Sequence, residues 1–149
     1  MPAELLPRSV TKTDGPAYWF LNGLNVVLAT SESTGGAYSM LHHTGAQGNA
    51  TPYHLHHVED EAFYVLEGEF TFICQGEKTV VGPGGYMFLP RGMPHGIRCT
   101  GSGSSTMLIL AMAEPAHERV LPPVTAPDLQ KLAMLCAKYG IDILGPLPE

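Results

Sequence analysis

The sequence predicts an all-β domain, and three features carry that prediction. Its 17 glycines and 13 prolines fall at short, regular intervals. Between them lie brief apolar runs rich in Val, Ile, Phe, Tyr and Thr. Turn signals separate the runs, which is the pattern of a β-sandwich or barrel.

Taken in order, runs at 18–21 and 24–30 flank Asn22-Gly23. That pair signals a hairpin, because both residues tolerate the positive φ of a type I′ turn. Further strands are expected at 37–42, 62–67, 69–75, 86–89 and 106–112. In 69–75, bracketed by Gly68 and Gly76, Phe70, Phe72 and Cys74 share one face and Thr71, Ile73 and Gln75 the other. Residues 101–105 (Gly-Ser-Gly-Ser-Ser) read as a loop or hairpin end. The chain then changes character. Residues 115–127 hold four prolines and read as a connection. Thr125 and Asp128 resemble a capping box, and Leu129, Leu132, Ala133, Cys136 and Tyr139 follow at helical spacing before Gly140. A short C-terminal α-helix is therefore expected.

A chain of 149 residues reads as a single domain, with a core barrel over about 17–114 and the connection and helix over 115–149. The net charge of -6 and the lack of any basic run argue against nucleic acid as a partner. No apolar run approaches the ~20 residues that span a bilayer. The first eight residues lack a basic segment followed by an apolar one, so no secretory signal is expected. Cys74, Cys99 and Cys136 are odd in number and widely spaced, which suits a reducing cytoplasm.

The chemistry concentrates in two segments. In the first, Gly48 is followed after five residues by His54, Leu55 and His56, then Glu61, then Gly68. Alternate residues of a strand share a face, so His54 and His56 project together beside a nearby carboxylate. In the second, Gly84 precedes Pro90, Arg91, Gly92 and His95. A tight turn at Pro90–Gly92 would aim His95 at the same point. Three imidazoles and a carboxylate suit one divalent transition metal: Fe, Mn, Ni, Co, Cu or Zn. Asp60 competes with Glu61 on spacing, and His57 has the wrong strand parity for ligation. His42, His43 and His117 belong to no constellation, and surface or structural roles are expected for them. Tyr53, Phe63, Val65, Met87 and Ile97 are candidates for an apolar pocket around the ligands.

Both segments resemble the two motifs of the cupin superfamily. The first matches at every defined position. The second matches at Gly84, Pro90, Gly92 and His95 but has Cys99 where the family usually has Asn. The resemblance covers 48–99 and implies a jelly-roll barrel (a double-stranded β-helix), a central metal held by His54, His56, Glu61 and His95, and a homodimer. The fixed interval to Gly68 and the family's use of Glu favour Glu61 over Asp60. The stretch 54–68 and the tail 137–149 are similar to single-domain quercetin dioxygenase-type cupins, which cleave a flavonol ring with O2 and release carbon monoxide. That similarity implies a small-molecule substrate, O2 as co-substrate, and Glu61 as the group accepting the substrate's hydroxyl proton. A metal-assisted isomerase or lyase of a small oxo or sugar substrate, and a non-catalytic small-molecule binding module, stand as alternatives.

Overall fold

The computed structural model describes residues 4–113 and 140–149. Among these residues, eleven strands form two antiparallel sheets: β1 (Ala17–Phe20), β2 (Gly23–Ala29), β3 (Ser39–Ala46), β4 (Tyr53–His56), β5 (Glu59–Glu67), β6 (Phe70–Cys74), β7 (Glu77–Val81), β8 (Tyr86–Leu89), β9 (His95–Cys99), β10 (Ser104–Ala113) and β11 (Ile141–Gly145). One sheet runs β1-β2-β3-β10-β5-β8 and the other β11-β4-β9-β6-β7. Successive strands alternate between the sheets along β3–β4, β5–β6 and β9–β10, which is a jelly roll. No helix among the described residues is long and apolar enough to cross a membrane. The C-terminal helix expected around 125–139 lies outside the described residues, as do His117 and Cys136.

The first hairpin differs from expectation by one residue. Phe20 pairs with Gly23, so the turn is Leu21-Asn22, both with positive φ (50° and 64°). Gly23 serves a steric purpose instead: a Cβ there would stand 2.4 Å from Cε1 of His43. A second two-residue turn, Gln75-Gly76 (φ 50° and 83°), joins β6 to β7 with Cys74 opposite Glu77. β7 and β11 carried no expectation. β7 is an exposed edge strand whose Glu-Lys start masks its pattern, and β11 is only five residues long.

Alternation sends Phe63 and Val65 of β5, Phe70 and Phe72 of β6, Leu89 of β8, Ile97 and Cys99 of β9 and Met107 of β10 into one cluster. Phe63 and Phe72 meet edge-to-face at 5.0 Å. This core fills the side of the barrel between β5–β8 and β6–β7. The other side, walled by β1, β2, β3 and β11, is hollow.

Gly68, between β5 and β6, has φ of 76°, and a Cβ there would lie 2.0 Å from the Ser105 hydroxyl oxygen and 2.8 Å from the Ser105 Cα. Ser105 is fully buried and its hydroxyl accepts a hydrogen bond from the Glu69 N–H. Backbone therefore opposes any side chain at Gly68. Gly68→Ala is expected to destabilise the fold by about 2–4 kcal/mol, through positive φ and overpacking together, as a fall in the urea midpoint at unchanged slope.

Candidate metal centre

His54 and His56 sit on β4, His95 on β9 beside it, and Glu61 on β5 of the opposite sheet. His54 and His95 are directly paired across the β4–β9 ladder. One ligand atom from each of the four residues lies within 4.8 Å of the other three. His56 and His95 are buried, at 6% and 1% exposure. The imidazoles of His56 and His95 stack with an interplanar angle of 3°, and His54 stands edge-on to both.

Backbone carbonyls fix which nitrogen of each ring faces inward. His54 Nδ1 lies 2.7 Å from the Pro52 carbonyl and His95 Nδ1 lies 3.0 Å from that of Met93. Each Nδ1–H donates to its carbonyl, so each Nε2 turns a lone pair toward the cluster. His95 Nε2 is then 3.0 Å from Glu61 Oε2, and His56 Nε2 is 3.3 Å from the same oxygen. Neither ring nitrogen of His56 has a hydrogen-bond partner although both are buried. Lone pairs packed this closely repel one another unless a cation stands among them. The residues present therefore fit a divalent metal ion, as the chemistry of their donors requires.

The protonation states of Glu61 and His54 agree with this, while without an ion Glu61 draws His95 toward its protonated form. Burial raises the Glu61 pKa, but the imidazoles of His56, His95 and His54 outweigh it and hold the carboxyl down at about 2. Burial, reinforced by His95, holds His54 down at about 4. His95 is also penalised by burial, yet its contact with Glu61 raises it above the usual histidine value.

The loop between β8 and β9 is tied to both ligand strands. Gly92 N–H donates to the His56 carbonyl at 2.8 Å. Arg91 donates to Asp60 through its backbone N–H (2.8 Å), Nε (3.2 Å) and Nη2 (3.1 Å). Asp60 thus points out of the barrel to Arg91, while Glu61, one residue on, points in. His57 pairs with Asp142 on the exposed surface at 2.7 Å. Cys99 is a core residue with Sγ 3.5 Å from the Gly45 carbonyl.

A cavity of about 480 Å³ opens beside the cluster, within the range of small-molecule sites. Its walls are largely apolar, with Tyr18, Phe20, Val27, Leu41, Ile109, Ile141 and Ile143 prominent, and no lysine or arginine among the described residues lines it. Phe63 and Ile97 of the expected pocket line it; Tyr53, Val65 and Met87 do not. Tyr53 has the opposite parity to His54, Val65 is sealed in the core, and Met87 packs against that core. A further part of the wall comes from β1, β2, β3 and β11, whose inward alternation was the available signal. His43, expected at the surface or in a structural role, is part of this wall.

A protein-family model described as "Cupin domain" matches residues 41–111. The chain belongs to the cupins. This cupin is 31% identical over 98 residues to a quercetin 2,3-dioxygenase of Bacillus subtilis (strain 168), a match covering 66% of the chain and 29% of that protein. The chain thus spans under a third of its curated relative. Among solved structures, it superposes on a predicted oxalate decarboxylase from Thermotoga maritima with TM-score 0.66 and 21% identity, covering 72% of this chain and all of that one. It superposes on a polyketide cyclase from Streptomyces resistomycificus with TM-score 0.65 and 24% identity, covering 90% and 96%. At these identities both structures speak to the cupin fold alone.

Two predictions test the site's supports. Asp60→Ala frees the Arg91 loop, and the loss of charge-assisted bonds at a half-exposed site is expected to cost about 1–2 kcal/mol in chemical denaturation and to weaken metal retention in equilibrium dialysis. His43 offers a pH test. Burial, with a smaller push from His42, holds it at about 4 against an ordinary value of 6.5. Between these values the unfolded chain binds the extra proton and the folded one does not. The contribution is complete above about pH 6.5 and lost progressively down to about pH 4. Metal-free protein should show that decline in thermal melts, and His43→Phe should show less of it.

Proposed function

We propose that this cupin is a metal-dependent dioxygenase of the quercetinase type, acting on a flavonol or a related aromatic enol with O2 as co-substrate. One divalent transition metal is held by His54, His56, Glu61 and His95. The observation that carries this reading is the placement of that cluster against an apolar cavity whose described walls hold no lysine or arginine. A dianion such as oxalate, or a phosphorylated sugar, would lose its hydration there with no cationic side chain to receive it. A flat, neutral aromatic molecule loses little. The match to the Bacillus subtilis dioxygenase supports the same substrate class.

The chain's own contributions follow from the geometry. When bound, the metal supplies Lewis acidity that lowers the pKa of a hydroxyl presented to it. Glu61, held ionised by the surrounding imidazoles, accepts that hydroxyl proton. The carbonyls of Pro52 and Met93 keep His54 and His95 in the tautomer that offers Nε2 inward. Apolar walls exclude water from the reacting enol.

A metal-assisted isomerase or lyase is the second reading, favoured by the same carboxylate, which can move a proton next to a carbonyl without O2. We also infer a homodimer in a reducing cytoplasm. Tyr64, Tyr86 and Phe88 form an exposed apolar row on the outer face of β5 and β8, and Cys74 and Cys99 are free thiols. Light scattering at twice the chain mass is the expected result.

Oxygen uptake with quercetin and a small enol panel, after reconstitution with Fe, Mn, Co or Ni in turn, tests the reaction. Metal-dependent uptake is expected. His56→Ala should lose both metal and uptake, and Glu61→Gln should slow turnover by about 10²–10⁴-fold. Tight metal loading without uptake would move the assignment to isomerase or lyase chemistry.

A further inference from the structure

His43 is a half-buried imidazole that has no part in the metal cluster. His43 lies on β3 and lines the cavity. Its Nδ1 is 2.9 Å from Oδ1 of Asn25, a residue only 3% exposed. The Asn25 amide group is itself committed to the Gly23 carbonyl at 3.3 Å, so its oxygen is the atom turned to His43. Nδ1 therefore carries the proton and donates it, and Nε2 is left as an acceptor. No hydrogen bond reaches Nε2 from the described residues.

Room for the ring is made by two glycines. A Cβ on Gly23 would stand 2.4 Å from His43 Cε1, and one on Gly45 would stand 3.4 Å from His43 Nε2. Asn49, whose amide nitrogen is 3.1 Å from that same Gly45 position, lines the cavity next to it. Burial keeps the imidazole neutral at working pH. An acceptor with no donor from the described residues, on a largely apolar wall, calls for a donor from the ligand.

The sheet register sets where this acceptor stands. His43 is opposite Met107, and Met107 is opposite Val65, so His43 lies level with Val65 rather than with Glu61. Two strand spacings across and four residues along separate the backbones of His43 and Glu61 by roughly 16 Å. The cluster and the acceptor mark two separated points of one elongated cavity.

We propose that His43 Nε2 accepts a hydrogen bond from a hydroxyl at the far end of an aromatic substrate, fixing its orientation while its enol end meets the Glu61 cluster. The preferred substrate is thus an elongated aromatic with a polar donor at each end. Asn25 is a positioning residue that sets the tautomer, and Gly23 and Gly45 give the ring its place. The proposal rests on the aromatic-substrate reading above.

The experiment uses zinc-loaded full-length protein without turnover and two probes, 3-hydroxyflavone and 3,4′-dihydroxyflavone. Both carry the enol, and only the second carries the remote hydroxyl. By fluorescence titration the wild type should bind the dihydroxy compound about three- to tenfold more tightly, and His43→Phe should abolish that preference with zinc content unchanged. The side-chain 15N spectrum of unmutated protein gives a second readout. The His43 Nε2 resonance should move on adding the dihydroxy probe and stay put with the other. Equal binding of the two probes, a preference that survives His43→Phe, or an Nε2 resonance that ignores the remote hydroxyl would overturn the subsite while leaving the aromatic reading intact. Failure of both probes to bind wild type would overturn the aromatic reading and the subsite with it. Because binding is read without O2, loss of dioxygenase activity alone does not bear on either outcome.

Discussion

Three imidazole lone pairs and one carboxylate brought within 4.8 Å are the arrangement on which the rest of this molecule depends. Left to themselves these groups repel, and they arrive from opposite sheets, so the fold must force them together. The devices that do so are spread over the backbone. Carbonyls of Pro52 and Met93 lock two rings, and Gly92 and Arg91 bind the β8–β9 loop to β4 and β5. A filled aromatic core behind Phe63 and Phe72 keeps the two sheets at a fixed separation. Metal affinity and fold stability are therefore linked, because a cation relieves the repulsion that folding creates.

Polarity inside the barrel is rationed by position. The core side is apolar throughout. The hollow side has a charged cluster near β4, β5 and β9, largely apolar walls, and an oriented imidazole on β3. Such a distribution reads a ligand by where its polar atoms lie along its length, since each buried polar group strongly disfavours a partner that leaves it unsatisfied.

Much of this was readable from the chain, and the exceptions have physical reasons. The two histidine-bearing segments announced themselves because ligand spacing on a strand is rigid: two residues per repeat put His54 and His56 on one face and Asp60 on the other face from Glu61. Strands with full alternation and flanking turns, such as β5 and β10, stood out for the same reason. Edge strand β7 did not, because one exposed face and a charged start leave little apolar signal. The hairpin at Leu21-Asn22 slipped by one residue because Gly23 advertises a turn while serving a steric need set by His43, a residue 20 positions away. His43 itself was passed over because its partners Asn25 and Gly45 lie on two strands. Tyr53, Val65 and Met87 sit near the ligands in sequence, but proximity along the chain does not fix which face a side chain takes.

The last strand carries a consequence of its own. β11 is an edge strand held by a single ladder to β4, and its Ile141 and Ile143 form part of the cavity wall. The same strand gives β4, which bears two of the imidazoles, its second hydrogen-bonded neighbour. Detaching β11 would at once unroof the cavity and turn β4 into a free edge. Access to the cavity and rigidity of the cluster are thus two readings of one docking equilibrium. Whatever fills the cavity and touches those isoleucines also stiffens the strand that carries His54 and His56.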